Sequence, residues 1–97
     1  MNLRRARLTV DNAENLALQG LTFIGQDGPR LARFLSLTGL VPADLKAWSD
    51  NLQLRVGVLD FLLSDESLLL VFAAEAGVKP ETIAPARNLL AGERFDG

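Results

Sequence analysis

Apolar residues recur along this chain at i, i+3 and i+4, and no stretch alternates apolar with polar positions as a half-buried strand would. That period predicts amphipathic α-helices in about six segments. The most apolar stretch runs from Leu52 to Ala76 and has one polar break, Ser64-Asp65-Glu66-Ser67. Leu52, Val56, Leu59 and Leu63 line one face of its first half, while Leu54, Val58, Phe61 and Leu62 lie off that face. A helix that is apolar all round is usually central in a core. Leu68, Leu69, Leu70, Val71 and Phe72 give the second half the same character. The pattern therefore predicts a central hairpin of two helices, with the rest of the chain packed around it.

Capping residues divide the chain further. Asp11 opens the first predicted helix, with Glu14 three residues on in the spacing of a capping box. Ala13, Leu16, Ala17, Gly20, Leu21 and Ile24 form its apolar face, and Gly20 admits a close neighbour; Gly25 ends it. Asp27 caps the second helix and Pro29 sits in its first turn, where a missing N–H costs nothing. Leu31, Phe34, Leu35 and Thr38 are its stripe, Arg30, Arg33 and Ser36 face away, and Gly39 stops it. Pro42 starts a short third helix with Leu45 and Trp48, and Ser49-Asp50-Asn51 breaks it and caps the fourth, Leu52 to Leu63. Ser64 or Asp65 caps the fifth, which Gly77 ends. Pro80 and Glu81 start the sixth, which carries Ile83, Ala86, Leu89 and Leu90 and stops at Gly92. Residues 1–10 and 93–97 read as loose tails of a single domain spanning 1–97.

Sliding the chain against itself by 38 residues places Leu21, Phe23, Asp27, Phe34, Gly39 and Pro42 on Leu59, Phe61, Asp65, Phe72, Gly77 and Pro80. Ile24 falls on Leu62, Leu31 on Leu69, Leu40 on Val78 and Leu45 on Ile83. A period in this range marks a repeated supersecondary unit that buries its apolar face against its copy. The expectation is an all-α, bundle-like domain of two similar three-helix halves.

The same residues carry a resemblance. Arg33-Phe34-Leu35-Ser36-Leu37-Thr38-Gly39 and Asp60-Phe61-Leu62-Leu63-Ser64-Asp65-Glu66 are its specific blocks, supported by Leu21 to Ile24, Pro42, Phe72, Gly77, Pro80 and Ala86. Over about residues 13–92 the chain resembles a bacterial family of short, all-helical, functionally uncharacterised proteins. The resemblance implies one cytoplasmic all-α domain and brings no activity or site residues with it. Trp48 stands where that family is expected to have a small residue.

Composition then narrows the chemistry. Hydrophobic residues make up 48% of the 97, the ordinary level for a folded domain, and aromatics only 6%, so Leu, Val and Ala must fill the core. Cys, His and Tyr are absent, which removes thiol chemistry, the commonest transition-metal ligands and the usual general base. Asp65-Glu66 is explained by helix capping rather than by a cation site. No apolar run has signal-peptide or bilayer-spanning length, because Asp60 and Ser64-Asp65-Glu66 interrupt the longest candidate. Neither an enzyme nor a cofactor is expected, and the location expected is cytoplasmic. Asp60 is read as solvent-facing or paired with Arg55 or Arg33, with a functional buried acid as the alternative.

The net charge is −2, unevenly spread: residues 1–55 hold seven Lys/Arg against five Asp/Glu, and residues 56–97 hold three against seven. Two binding surfaces follow. Trp48, Leu68, Leu69 and Leu70 are apolar beyond what a small domain covers, which predicts a protein partner or a homodimer. Arg4, Arg5, Arg7, Arg30 and Arg33 form the alternative, a weak basic patch for an accessory role on nucleic acid. The leading expectation is a small interaction or regulatory domain acting through an apolar helix face.

Overall fold

The computed structural model describes residues 8–93, a span built of helices joined by short turns. Five α-helices, α1 (Val10–Gly25), α2 (Gly28–Thr38), α3 (Leu52–Leu63), α4 (Glu66–Ala76) and α5 (Ile83–Glu93), are accompanied by two 3-10 segments, Pro42–Asp50 and Pro80–Thr82. Among the described residues no strand forms. The expected all-α domain is thus present. Its third helix is instead a 3-10 stretch broken at Ala47, where φ −97° and ψ 38° leave the helical region. Only two large apolar residues in nine, Leu45 and Trp48, give too little stripe to hold an α-helix.

The helix ends follow local chemistry. Asn51 accepts the Leu54 N–H at 2.9 Å and Asp65 accepts the Leu68 N–H at 3.2 Å, so each side chain satisfies a donor that its helix cannot. Asp27 occupies the N-cap of α2 without such a bond. Gly39 and Gly77 close α2 and α4 at φ 76° and 72°, a left-handed conformation that costs a side-chain-bearing residue about 1–2 kcal/mol. The start of α1 differs from the Asp11 cap expected. Thr9 is the N-cap: its hydroxyl accepts the Asn12 N–H at 3.1 Å, and the Asn12 side chain accepts the Thr9 N–H at 3.4 Å. Asp11 falls in the first turn, and Glu14 turns instead to Arg55 at 3.7 Å. Leu8 and Val10 pack against the core, so the folded part begins inside the stretch expected to be a tail. Residues 1–7 and 94–97 of the expected tails lie outside the described residues.

The centre of the core is α3, packed on α1 and α5, rather than a hairpin of α3 and α4. Leu54, Val58, Leu59, Phe61 and Leu62 are all buried, which accounts for a helix apolar on every side. Leu54, off its stripe in sequence, is fully enclosed. Gly20 is what lets α1 come down on α3: a Cβ there would stand 2.8 Å from Val58 Cγ1 and 3.1 Å from Leu62 Cδ1. By contrast α4 buries only Phe72 and Ala73 completely. The molecule measures 42 × 33 × 19 Å, so its thin dimension holds about two layers of helices about 10–12 Å across. An outer helix in two layers keeps one face uncovered; α2, which buries only Phe34, and α4 are such helices.

Candidate functional site

Helices α1 and α4 meet through Phe23 and Phe72, whose ring centroids lie 5.5 Å apart with planes inclined at 55°. Both rings are buried and form the floor of an open groove of about 310 Å³. One wall is α1, presenting Leu18, Gln19 and Thr22 and ending at Gln26; the other is α4, presenting Glu75 and Ala76. Leu18 is 45% exposed although large and apolar. Outside the groove, Leu70 and Val71 on α4 are 48% and 49% exposed. Elsewhere among the described residues Leu37, at a second groove, and Val41 are also large, apolar and exposed.

A second groove of about 300 Å³ lies between α2 and α3. Its floor is Phe61, which meets Phe34 edge-on at 5.4 Å. All six residues lining the second groove correspond to residues lining the first, which has Leu18 and Phe72 in addition. Gly57, Asp60, Phe61 and Ser64 stand 38 positions after Gln19, Thr22, Phe23 and Gln26, and Leu37 and Thr38 stand 38 positions before Glu75 and Ala76. The two aromatic pairs are exchanged by the same offset, since Phe23 maps to Phe61 and Phe72 to Phe34. The chemistry differs. In the second groove the acid is Asp60, and Arg87 of α5 holds it with Nε at 2.7 Å and a terminal nitrogen at 3.4 Å. Asp60 is therefore a half-exposed partner of Arg87, not of Arg55 or Arg33, and not a buried acid.

The apolar candidates divide. Leu68 and Leu69 are half-buried against the core, and Leu70 points out. Trp48 is half-buried on the first 3-10 segment, with its carbonyl accepting from Arg55 at 2.8 Å. The basic candidates are engaged within the fold. Arg30, expected to face away, instead lies over the Phe23 ring at 4.0 Å, donates to the Phe23 carbonyl at 2.6 Å and stands 3.9 Å from Asp27. A guanidinium is planar and weakly hydrated, so it covers an aromatic face better than it projects into water. Arg33 stands 3.8 Å from Asp65 and 5.9 Å from the Phe61 ring centre. Arg4, Arg5 and Arg7 lie outside the described residues. Sequence reasoning named none of Leu18, Thr22, Gln26 and Glu75 as a site residue. The legible signal was the i, i+4 step from Leu18 to Thr22 on the exposed side of α1.

Among the described residues no three His, Cys, Asp or Glu side chains are grouped to hold a metal ion, and no helix is long and apolar enough to cross a membrane. A family model described as a protein of unknown function (DUF3572) matches residues 10–93. No curated protein and no solved structure matches the chain.

Proposed function

Since the chain belongs to the DUF3572 family, a family of unknown function, we propose that it is a small cytoplasmic interaction or regulatory domain without catalytic activity. It binds a protein partner in the groove between α1 and α4. The observation that carries this reading is the uncovered apolar surface there: Leu18 at the groove and Leu70 and Val71 beside it, on an outer helix that a two-layer domain leaves half bare. Surfaces of that kind, with an aromatic floor and a polar rim, are where partners dock.

The charges support a protein partner over nucleic acid. Each described arginine stands within ion-pair distance of a carboxylate: Arg30 of Asp27, Arg33 of Asp65, Arg55 of Glu14 and Arg87 of Asp60. Guanidinium groups matched in this way offer little to a phosphate backbone. We also propose that the two halves of the chain are copies of one unit. Asp27 and Asp65 begin helices, Gly39 and Gly77 end them, and Pro42 and Pro80 open 3-10 segments at a constant separation, which supports that reading. The second groove would then be a duplicate altered to another purpose.

The test is affinity capture from the host lysate with the native chain and a Leu18→Lys variant in parallel, each with and without nuclease. A protein retained by the native chain, lost by the variant and indifferent to nuclease is the expected result. Identical captures by both chains would contradict the reading, and captures lost on nuclease treatment would move the function to nucleic acid.

A further inference from the structure

We propose that the occupant of the α1/α4 groove is a short basic amphipathic helix of the partner, an inference that rests on the interaction reading above. Three observations lead there. First, α1 and α4 carry no lysine or arginine, while Asp11, Glu66 and Glu75 are exposed on them. Second, Glu75 lines the groove itself and belongs to none of the ion pairs among the described residues, not even one with Lys79 four positions on. An acid beside an apolar groove attracts a cation flanking an apolar anchor. Third, the walls are two helices, and the stretch from Leu18 to Gln26 rises about 12 Å at 1.5 Å per residue. That length matches roughly two turns of a third helix laid in the groove, with anchors at i and i+4 or i+7. On α1, Asp11, Asn15, Leu18 and Thr22 follow one another along the exposed side and offer such a helix a rim without lysine or arginine of its own.

The second groove supplies the contrast. At the position of Glu75 it has Leu37, and its one acid, Asp60, is already held by Arg87. A basic helix therefore has reason to choose the first groove and none to choose the second.

The probe is a fluorescein-labelled peptide of sequence LKKLLKLLKKLLKL, compared with its acidic counterpart LEELLELLEELLEL, titrated with the full chain at near-physiological salt and read by anisotropy. The basic peptide should bind at least about tenfold tighter than the acidic one. Leu18→Lys and Glu75→Lys should each weaken it about tenfold or more, with helicity by circular dichroism unchanged, and Leu37→Lys should leave it unaltered. Equal binding of both peptides, abolished by Leu18→Lys, would overturn the basic occupant while leaving the groove reading intact. Concentration-dependent dimerisation that Leu18→Lys abolishes would also overturn it, by making a second copy the occupant. Binding of the basic peptide equally to the native chain, Leu18→Lys and Glu75→Lys would overturn it by reducing the effect to unspecific charge attraction, and failure of the basic peptide to bind at all would overturn it outright. In both of these cases the lysate comparison with Leu18→Lys still decides the groove reading separately.

Discussion

Single residues set the geometry of this domain where they touch the backbone. Gly20 is the sharpest case. Val58 and Leu62, which a Cβ at Gly20 would strike, are fully buried and have nowhere to move. Gly20→Ala should therefore destabilise the fold by about 1–3 kcal/mol, as overpacking does, although alanine is the better helix former. Urea denaturation measures this, and an unchanged or higher midpoint would show that α1 and α3 are farther apart. The caps make a paired prediction. Asp65→Ala should cost about 1 kcal/mol, because it removes the bond to the Leu68 N–H. Asp27→Ala should cost less, since Asp27 makes no such bond and its ion pair with Arg30 is long, at 3.9 Å, with Asp27 itself half-exposed. Equal losses would mean that the two N-caps work alike. These local roles were legible in sequence, because a cap, a stop or a small residue on an apolar face acts on its immediate neighbours. Thr9 was missed for an equally local reason: Asn12, rather than Glu or Gln, completes its box, so the more familiar Asp11 and Glu14 looked the stronger start.

At the scale of elements, α3 and α4 look alike in sequence and take opposite places. Both are apolar on nearly all sides, yet α3 exposes only the polar Gln53 and Asp60, while α4 shows Leu70 and Val71 to solvent. Composition cannot separate the two, because what encloses a helix comes from segments far along the chain. Here α5, which begins 20 positions after α3 ends, is its closest companion. The Asp60–Arg87 pair was illegible for the same reason, since its partners are 27 residues apart. The difference is measurable. Leu62→Ala should cost about 2–5 kcal/mol, while Leu70→Glu should change stability by no more than about 0.5 kcal/mol. Amide exchange should be slowest in α3 and at least partly faster across α4, whose opening exposes little besides Phe72 and Ala73. Equal protection of the two helices would contradict the peripheral place of α4.

The whole molecule is thin, and its thinness connects fold to function. A two-layer arrangement of short helices leaves grooves between neighbours on its faces, and here two of them have linings 38 positions apart. The offset was visible in the chain as spaced Phe, Asp, Gly and Pro residues, but that these positions lined surface grooves was not. Periodicity says which side of a helix is apolar, not which apolar side remains uncovered. Only the assembled fold shows Leu18 beside Glu75 with no cation on either helix. The most direct test of the groove as a docking surface is an amide chemical-shift map of the full chain titrated with the basic peptide. The expected result is a set of shifts confined to Leu18, Gln19, Thr22, Gln26, Glu75 and Ala76, with Gly57, Asp60 and Ser64 unmoved. Shifts centred on the second groove, or spread evenly over the acidic residues of the surface, would contradict it.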